Sequence, residues 1–111
     1  MKQIEATRCS LTTIEAGTLF YLNGLKFVCV CKSHPEAYEV YENDKEIAYV
    51  RVRNGVISCS VGAPNNFVGS YVYCEDVNWG YAGEFKSGRQ RIKHLNKIAN
   101  ILKQGGNYEV Y

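Results

Sequence analysis

Four positively charged side chains stand where the sequence predicts that a helix begins. They are Lys86, Arg89, Arg91 and Lys93, in the segment GEFKSGRQRIK. The N-terminal end of a helix already carries about half a positive charge from its aligned peptide dipoles, so cations there are unfavourable unless an anion balances them. Free N–H groups of a first helical turn also bind anions. The segment therefore predicts an anion-binding site.

The same segment falls short of a phosphate-binding P-loop. Gly83 and Gly88 have the spacing of that loop, but Arg89-Gln90 follow where it needs Lys and then Ser or Thr. The parallel βαβ core of such enzymes is not indicated either, so NTPase activity is excluded. We still expect Gly88 to let a ligand approach closely, beside Ser87 and the charge-assisted contacts of the cations.

The alternative is that the chain's own carboxylates neutralise these cations. Glu75, Asp76 and Glu84 are the candidates nearest in sequence. Arg91 is the least expected member of the group, because it falls on the side of the helix that also carries Ile98 and Leu102.

Aromatic residues precede the helix, spaced by glycines. Trp79 and Tyr81 belong to this stretch, and Phe85 follows them. Flat rings beside cations suit a base, a nucleotide or a protein hot spot, so we add Trp79 and Tyr81 to the candidate site. The alternative is that these rings fold back and seal the edge of the helix.

A second candidate surface lies on the polar face of the predicted sheet. Tyr41, Tyr49, Arg51 and Arg53 would share that face, and exposed aromatic and Arg side chains on a sheet can stack bases. The aromatic motif of an RNA-recognition module is absent. An N-terminal hairpin folded over this face would bury it instead.

The sequence predicts no enzyme, no metal and no cofactor. His34 and His94 are the only histidines, and neither stands in a nucleophile motif. The adjacent carboxylates Glu75-Asp76 would point to opposite sides of a strand. The five cysteines have no paired zinc spacing and are expected to be free and mostly buried. They are Cys9, Cys29, Cys31, Cys59 and Cys74.

Two Asn-Gly pairs mark the elements that must position these residues, because Asn-Gly is the preferred two-residue hairpin turn. Asn23-Gly24 joins residues 18–22 to 25–32, and Asn54-Gly55 joins residues 47–53 to 56–61. In the second hairpin the predicted register pairs Arg53 with Val56 and Val50 with Cys59. It places Ala48, Val50, Val52, Ile57, Cys59 and Val61 on one face.

Further strands and one helix complete the prediction. A turn at residues 43–45 brings 38–41 beside 47–50, and residues 70–77 form a last strand. Ser87 and Gln90 match a capping box, and Gly105-Gly106 ends the helix. Its apolar stripe consists of Ile92, Leu95, Ala99 and Leu102, with Ile98 at the margin. The prediction is an α+β fold: an antiparallel meandering sheet of five to six strands with one C-terminal helix packed on one face.

Length and composition predict one domain, residues 1–111, in a chain of 12.5 kDa. The net charge of +2 is uneven, with −3 over residues 1–85 and +5 over residues 86–111. Such a distribution favours an anionic partner for the basic part. We expect no secretory signal, no membrane span and a cytoplasmic location.

Part of the chain, residues 37–103, resembles small uncharacterised proteins of bacterial phages and mobile elements. The resemblance is carried by YEVY, YVRVRNG and HLNKIANIL. It implies an accessory role by binding and no catalytic residue, and for a phage protein it implies the cytoplasm of the host cell. The N-terminal hairpin departs from the shortest such proteins.

The first hypothesis is therefore a non-enzymatic binding protein of phage or mobile-element type. It would inhibit a host defence factor by docking on a protein, or by capturing a phosphate-bearing nucleotide ligand near residues 87–91. The second is a nucleic-acid-binding accessory protein that uses the basic helix and the Tyr/Arg face of the sheet. The third is a structural or homo-oligomerising component without a ligand.

Overall fold

A computed structural model describes residues 2–61, 70–76 and 83–104 of the chain. These residues form seven strands followed by one helix. The elements are β1 (Lys2–Gln3), β2 (Thr18–Leu22), β3 (Leu25–Lys32), β4 (Glu36–Glu42), β5 (Lys45–Arg53), β6 (Val56–Val61), β7 (Ser70–Asp76) and α1 (Gly88–Lys103).

The strands form one sheet in sequence order, from β1 to β7. All neighbouring strands are antiparallel except β1, which pairs with β2 in parallel. The predicted α+β fold is confirmed, with slightly more strands than expected. The additional strand is β1, whose two residues are too few to show an alternating pattern.

The two-residue turns follow from asparagine and aspartate in the left-handed region. Asn23 has φ 51° before Gly24, and Asn54 has φ 54° before Gly55. The turn between β4 and β5 was predicted to contain residues 43–45. Lys45 instead pairs with Glu42, so the turn is only Asn43-Asp44, with φ values of 52° and 66°. Positive φ at both central positions matches the twist of a hairpin.

The predicted register of the β5–β6 hairpin is confirmed at every pair. One face of the sheet, the covered face, lies under α1, and its strand residues include Val50, Val52, Ile57 and Cys59, all fully buried. We call the opposite face, on which no described helix or strand packs, the open face. A register shift after Val40 places Glu46 on the open face opposite Tyr41, while Ile47 packs against the core.

Helix α1 is capped by Ser87, whose hydroxyl accepts a hydrogen bond from the N–H of Gln90 at 3.1 Å. The Gln90 side chain accepts a hydrogen bond from the N–H of Lys86, whereas in a regular capping box it would accept from the N–H of Ser87. Leu95, Ile98, Ala99 and Leu102 are buried, whereas Ile92 is only partly buried. Ile98 is thus central to the stripe and Ile92 marginal, the reverse of the prediction. Gly105-Gly106 lie outside the described residues.

The residues between β1 and β2 pack beside the start of α1. They bury Leu11 and Ile14 in the same core as the helix stripe. A turn holds this segment together, because Thr7 and Ser10 exchange two bonds between backbone N–H and side-chain hydroxyl groups at 2.9 Å. The N-terminal hairpin β2–β3 extends the sheet edge to edge and does not fold over the open face.

Candidate functional site

Arg91, predicted to contact an anion, lies inside the protein and is paired with Glu36. Its Nε donates to Glu36 Oε2 at 2.7 Å and its Nη2 to Glu36 Oε1 at 3.1 Å. The two side chains are 4% and 0% exposed. The remaining nitrogen, Nη1, donates to the carbonyl oxygens of Leu11 and Thr12. Arg91 therefore ties α1 to both the sheet and the N-terminal segment.

Glu36 is satisfied by donors from three parts of the chain. Besides the guanidinium, it accepts from the Tyr38 hydroxyl and from Phe85 N, the latter at 2.9 Å. Burial alone lowers the pKa of Arg91, but hydrogen bonds to Glu36 and its negative charge outweigh this effect and raise the pKa. Burial and the Glu36 charge raise the pKa of Tyr38, which keeps its proton. The charge of Arg91 is thus balanced internally.

Gly88 does permit a close approach, but the chain's own N-terminal segment occupies that space. A Cβ atom at this position would overlap the carbonyl oxygen of Arg8 and come within 2.9 Å of Thr12 N. Two nearby N–H groups are also used, since Gln90 N donates to the Ser87 hydroxyl and Arg91 N to the Ser87 carbonyl. The expectation that Gly88 faces a ligand is corrected accordingly.

The other three cations of the group are exposed. Lys86, Arg89 and Lys93 form no ion pair with any carboxylate of the described residues. Further along α1 the cations are paired, Lys97 with Glu75 at 3.5 Å and Lys103 with a β4 carboxylate at 3.0 Å. Anion binding by the three exposed cations stays a prediction.

Trp79 and Tyr81 lie outside the described residues, so their part in the candidate site stays a prediction as well. The proposed internal neutralisers act elsewhere. Glu84 approaches His34 Nδ1 at 4.0 Å, and Glu75 lies 3.5 Å from His94 Nδ1. The carboxylate that does neutralise Arg91 was missed. Glu36 lies two positions before Tyr38 and four before Val40, so the period of a strand places all three on the same, covered face. This pattern could have revealed a charged residue in the core.

Glu75 and His94 form a small polar cluster between β7 and α1. Burial lowers the pKa of His94, against the opposing effect of the Glu75 charge, and the nearby Lys93 and Lys97 lower it further. The hydroxyl of Tyr73 donates to Glu75 and is the largest cause that lowers the pKa of this carboxyl. His94 also stacks on Phe85, with ring centroids 5.8 Å apart.

The second predicted surface is brought together on the open face. Tyr49 lies between Glu39 and Ser60 on neighbouring strands, and Arg51 lies between Ala37 and Ser58. Arg53 ends the same strand on the same face.

Tyr41 has two identified partners on this face. Its hydroxyl donates to Glu39 Oε1 at 2.7 Å, and this bond is the main cause that raises the Tyr41 pKa to about 12. Lys26 Nζ lies 4.9 Å from the centre of its ring and 3.8 Å from Asp44. Cations and carboxylates therefore alternate across this end of the face.

Two aromatic residues of the open face were missed by the sequence prediction. Tyr21, opposite Lys26, is 49% exposed, and Tyr71, opposite Ser60, is 41% exposed. Their alternation with the buried Phe20 and the partly buried Val72 was the available signal. With these two residues the candidate surface includes side chains from four strands, β2, β4, β5 and β7.

A depression of about 350 Å³ opens on the described part of this face, at the end of the β5–β6 hairpin. Two guanidinium groups, an amide, a hydroxyl and an aromatic ring contribute to its lining. The lining residues are Arg51, Arg53, Asn54, Val56, Ser58, Tyr71 and Cys74.

A larger polar cleft of about 600 Å³ lies beside the N-terminal segment. Its charged lining residues include both signs, and Arg91 contributes to its lining while paired with Glu36. The Glu15 and Lys32 side chains of its rim pair with each other at 3.3 Å. This cleft is therefore balanced in charge and indicates no particular ligand.

The described residues offer no metal-binding group of three His, Cys, Asp or Glu side chains. All five cysteines are free, with Cys29 and Cys59 buried and Cys9 and Cys74 exposed. Burial raises the pKa of both buried thiols to about 12, so they stay protonated at neutral pH. The one helix of the described chain is too short and too polar to cross a bilayer.

No family model matches the chain, and neither a curated protein nor a solved structure matches it.

Proposed function

We propose that this protein is a small non-enzymatic binding protein of phage or mobile-element type. It inhibits a host factor by docking on it through the open face of the sheet. The single observation that carries this proposal is the composition of that face, where tyrosine and arginine side chains of several strands lie side by side above a wide sheet.

Tyrosine and arginine are the residues that most often dominate the energy of a protein–protein interface. On the open face Tyr49 and Arg51 belong to β5, while Tyr21 and Tyr71 come from strands on either side of it. Because the side chains stand on a hydrogen-bonded sheet, docking orders less of the chain than it would on a loop. A smaller loss of entropy favours tight association.

The charges of the open face favour a protein partner over a polyanion. Lys26, Arg51 and Arg53 supply positive charge, whereas Glu39 and Glu46 supply negative charge on neighbouring positions. A phosphate backbone would be repelled by these carboxylates. A folded protein can present both signs, and matched charges then fix the orientation of the complex.

Photo-crosslinking in bacterial cells tests the proposal. Benzoylphenylalanine replaces Tyr21 or Tyr71 on the open face and, as the matched control, Asn96 on the exposed side of α1. We expect both open-face positions to form an adduct with the same single host protein, and the helix position to form none. A partner captured only from Asn96, or no common adduct from the two open-face positions, would contradict the proposal.

A second candidate function is nucleic-acid binding by the basic start of α1. The observation that favours it is the set of three exposed cations, Lys86, Arg89 and Lys93, that form no ion pair within the described ranges. These cations oppose the helix dipole, and phosphate groups would relieve that cost.

A further inference from the structure

We infer that the depression at the β5–β6 hairpin is the subsite for an acidic side chain, Asp or Glu, of the docked partner protein. This inference rests on the proposed function, because it names the chemistry that the partner must present to the open face. Its basis is the set of hydrogen-bond donors that converge there.

Most polar groups of the depression donate hydrogen bonds. Arg51 and Arg53 are two positions apart on β5, so their side chains leave the same face of the strand. A guanidinium presents two parallel N–H groups that match a carboxylate. Asn54 in the turn adds an amide, and Ser58 adds a hydroxyl opposite Arg51. A carboxylate in this place can accept from more than one side.

The local charge is positive. None of the residues that line the depression is acidic. The lining therefore carries two cations and no carboxylate, and Asp76, opposite Val56 on β7, lies outside it on the same face. An incoming carboxylate would balance the excess, and the partial desolvation on docking would strengthen the contact.

The rest of the lining indicates what accompanies the acidic group. Tyr71 is 41% exposed, and Val56 is partly buried and lines the same depression as the two guanidinium groups. Apolar surface next to donors suits an acidic residue whose sequence neighbour is apolar. The volume of about 350 Å³ can hold one such side chain.

A carboxylate from a protein fits this surface better than a phosphate of a nucleic acid. The depression lies on the same face as Glu39 and Glu46, over which a continuous phosphate chain would have to pass. A protein segment can place one acidic group in the depression and cations over the glutamates. The occupant of the depression is therefore an acidic segment of a protein.

The test combines charge reversal with the crosslinks of the open face. Arg53→Glu is introduced into the protein that carries benzoylphenylalanine at Tyr21, and Arg8→Glu, at an exposed position of the N-terminal segment beside α1, is the matched control. Arg53 is exposed, so the variant should fold, which an unchanged Tm would verify. We expect the adduct yield to fall by about tenfold or more with Arg53→Glu and to stay unchanged with Arg8→Glu.

The adduct formed from Tyr71 then identifies the partner segment by mass spectrometry. We expect an Asp or Glu within this segment, and its replacement by Lys should restore the Tyr21 adduct of Arg53→Glu. If the adduct survives Arg53→Glu, or if the segment lacks an acidic residue, the acidic-subsite inference is wrong while the docking function stands. If neither open-face position gives a host adduct, or if only a second copy of this chain or nucleic acid is captured, the docking function itself is overturned.

Discussion

Glu36 of β4 and Arg91 of α1, 55 positions apart in the sequence, form a two-point ion pair in the interior of the protein. The groups that contact the pair come from three segments: the Tyr38 hydroxyl, Phe85 N, and the carbonyl oxygens of Leu11 and Thr12. A cation that the sequence assigned to an external anion is thus used to join the helix, the sheet and the N-terminal segment.

Replacing Glu36 by Gln should destabilise the fold strongly. The substitution keeps the shape but leaves the Arg91 guanidinium buried without a countercharge, a change that costs about 3–5 kcal/mol in comparable pairs. Chemical denaturation with urea measures the loss. Glu39→Gln, on the same strand but on the open face, is the matched control and should cost far less. Equal losses for the two variants would show that the buried pair is not required for stability.

Gly88→Ala should reduce stability although alanine is the better helix former by about 1 kcal/mol. The new methyl group would overlap the carbonyl oxygen of Arg8, and overpacking of this kind costs about 1–3 kcal/mol. Thermal unfolding measures the change in Tm. Asn96→Ala, at an exposed position of the same helix, should leave Tm equal or higher. A Gly88→Ala protein with a raised Tm would mean that the N-terminal segment does not pack against the helix start.

The stability of the protein should fall as the pH drops below about 6.5, the ordinary pKa of histidine. The folded-state pKa of His94 is lowered, so in this range the unfolded chain binds the proton first and unfolding is favoured. Stability is therefore fully present above about pH 6.5 and declines toward the lowered folded pKa. The lowered pKa of Glu75 acts in a separate window, where its contribution is lost at more acidic pH.

Urea denaturation of the protein and of His94→Gln between pH 5 and pH 7 measures this effect. The substitution should flatten the pH dependence, whatever it does to the absolute stability through the lost stacking on Phe85. Asn96→Ala, at an exposed position of α1, removes no titrating group and is the matched control that should keep the slope. An unchanged slope in His94→Gln would contradict the assignment.

Nucleic-acid binding by the start of α1 predicts a steep dependence on salt. Each phosphate neutralised contributes about −0.7 to the slope of log K against log salt for a single strand. The combined variant Lys86→Ala, Arg89→Ala and Lys93→Ala should reduce the slope by about 2. Fluorescence anisotropy with a labelled oligothymidylate measures both. Lys26→Ala, on the open face of the sheet and away from the start of α1, is the control. A salt-independent affinity, or a slope that the triple variant leaves unchanged, would contradict this second function.

Most of the fold could be predicted from local signals in the sequence. The Asn-Gly pairs at residues 23 and 54 fixed two hairpins, because few residues other than glycine and asparagine adopt positive φ readily. Once a two-residue turn is set, the register and both faces of the hairpin follow from the alternation of side chains. The cap at Ser87 was equally local, since the hydroxyl needs only an N–H group three residues ahead.

Only part of the candidate site could be predicted from the sequence. Tyr41, Tyr49, Arg51 and Arg53 could be placed on one face, because they lie at alternating positions of adjacent strands. The exposed rings at positions 21 and 71 joined that surface only when the whole sheet was assembled in order. The register shifts within three strand pairs also re-aimed side chains that a regular alternation would have placed differently.

The sequence by itself determined the α+β class, the hairpin turns and the amphipathic helix, because each depends on residues a few positions apart. Tertiary structure alone decided that Glu36 would pair with Arg91 and that the backbone at Arg8 would fill the space beside Gly88. Such contacts depend on which turn of a helix crosses which strand, and the energy that selects this arrangement is summed over the whole core. The sequence therefore shows which residues carry a charge or lack a side chain, whereas packing decides which groups those residues contact.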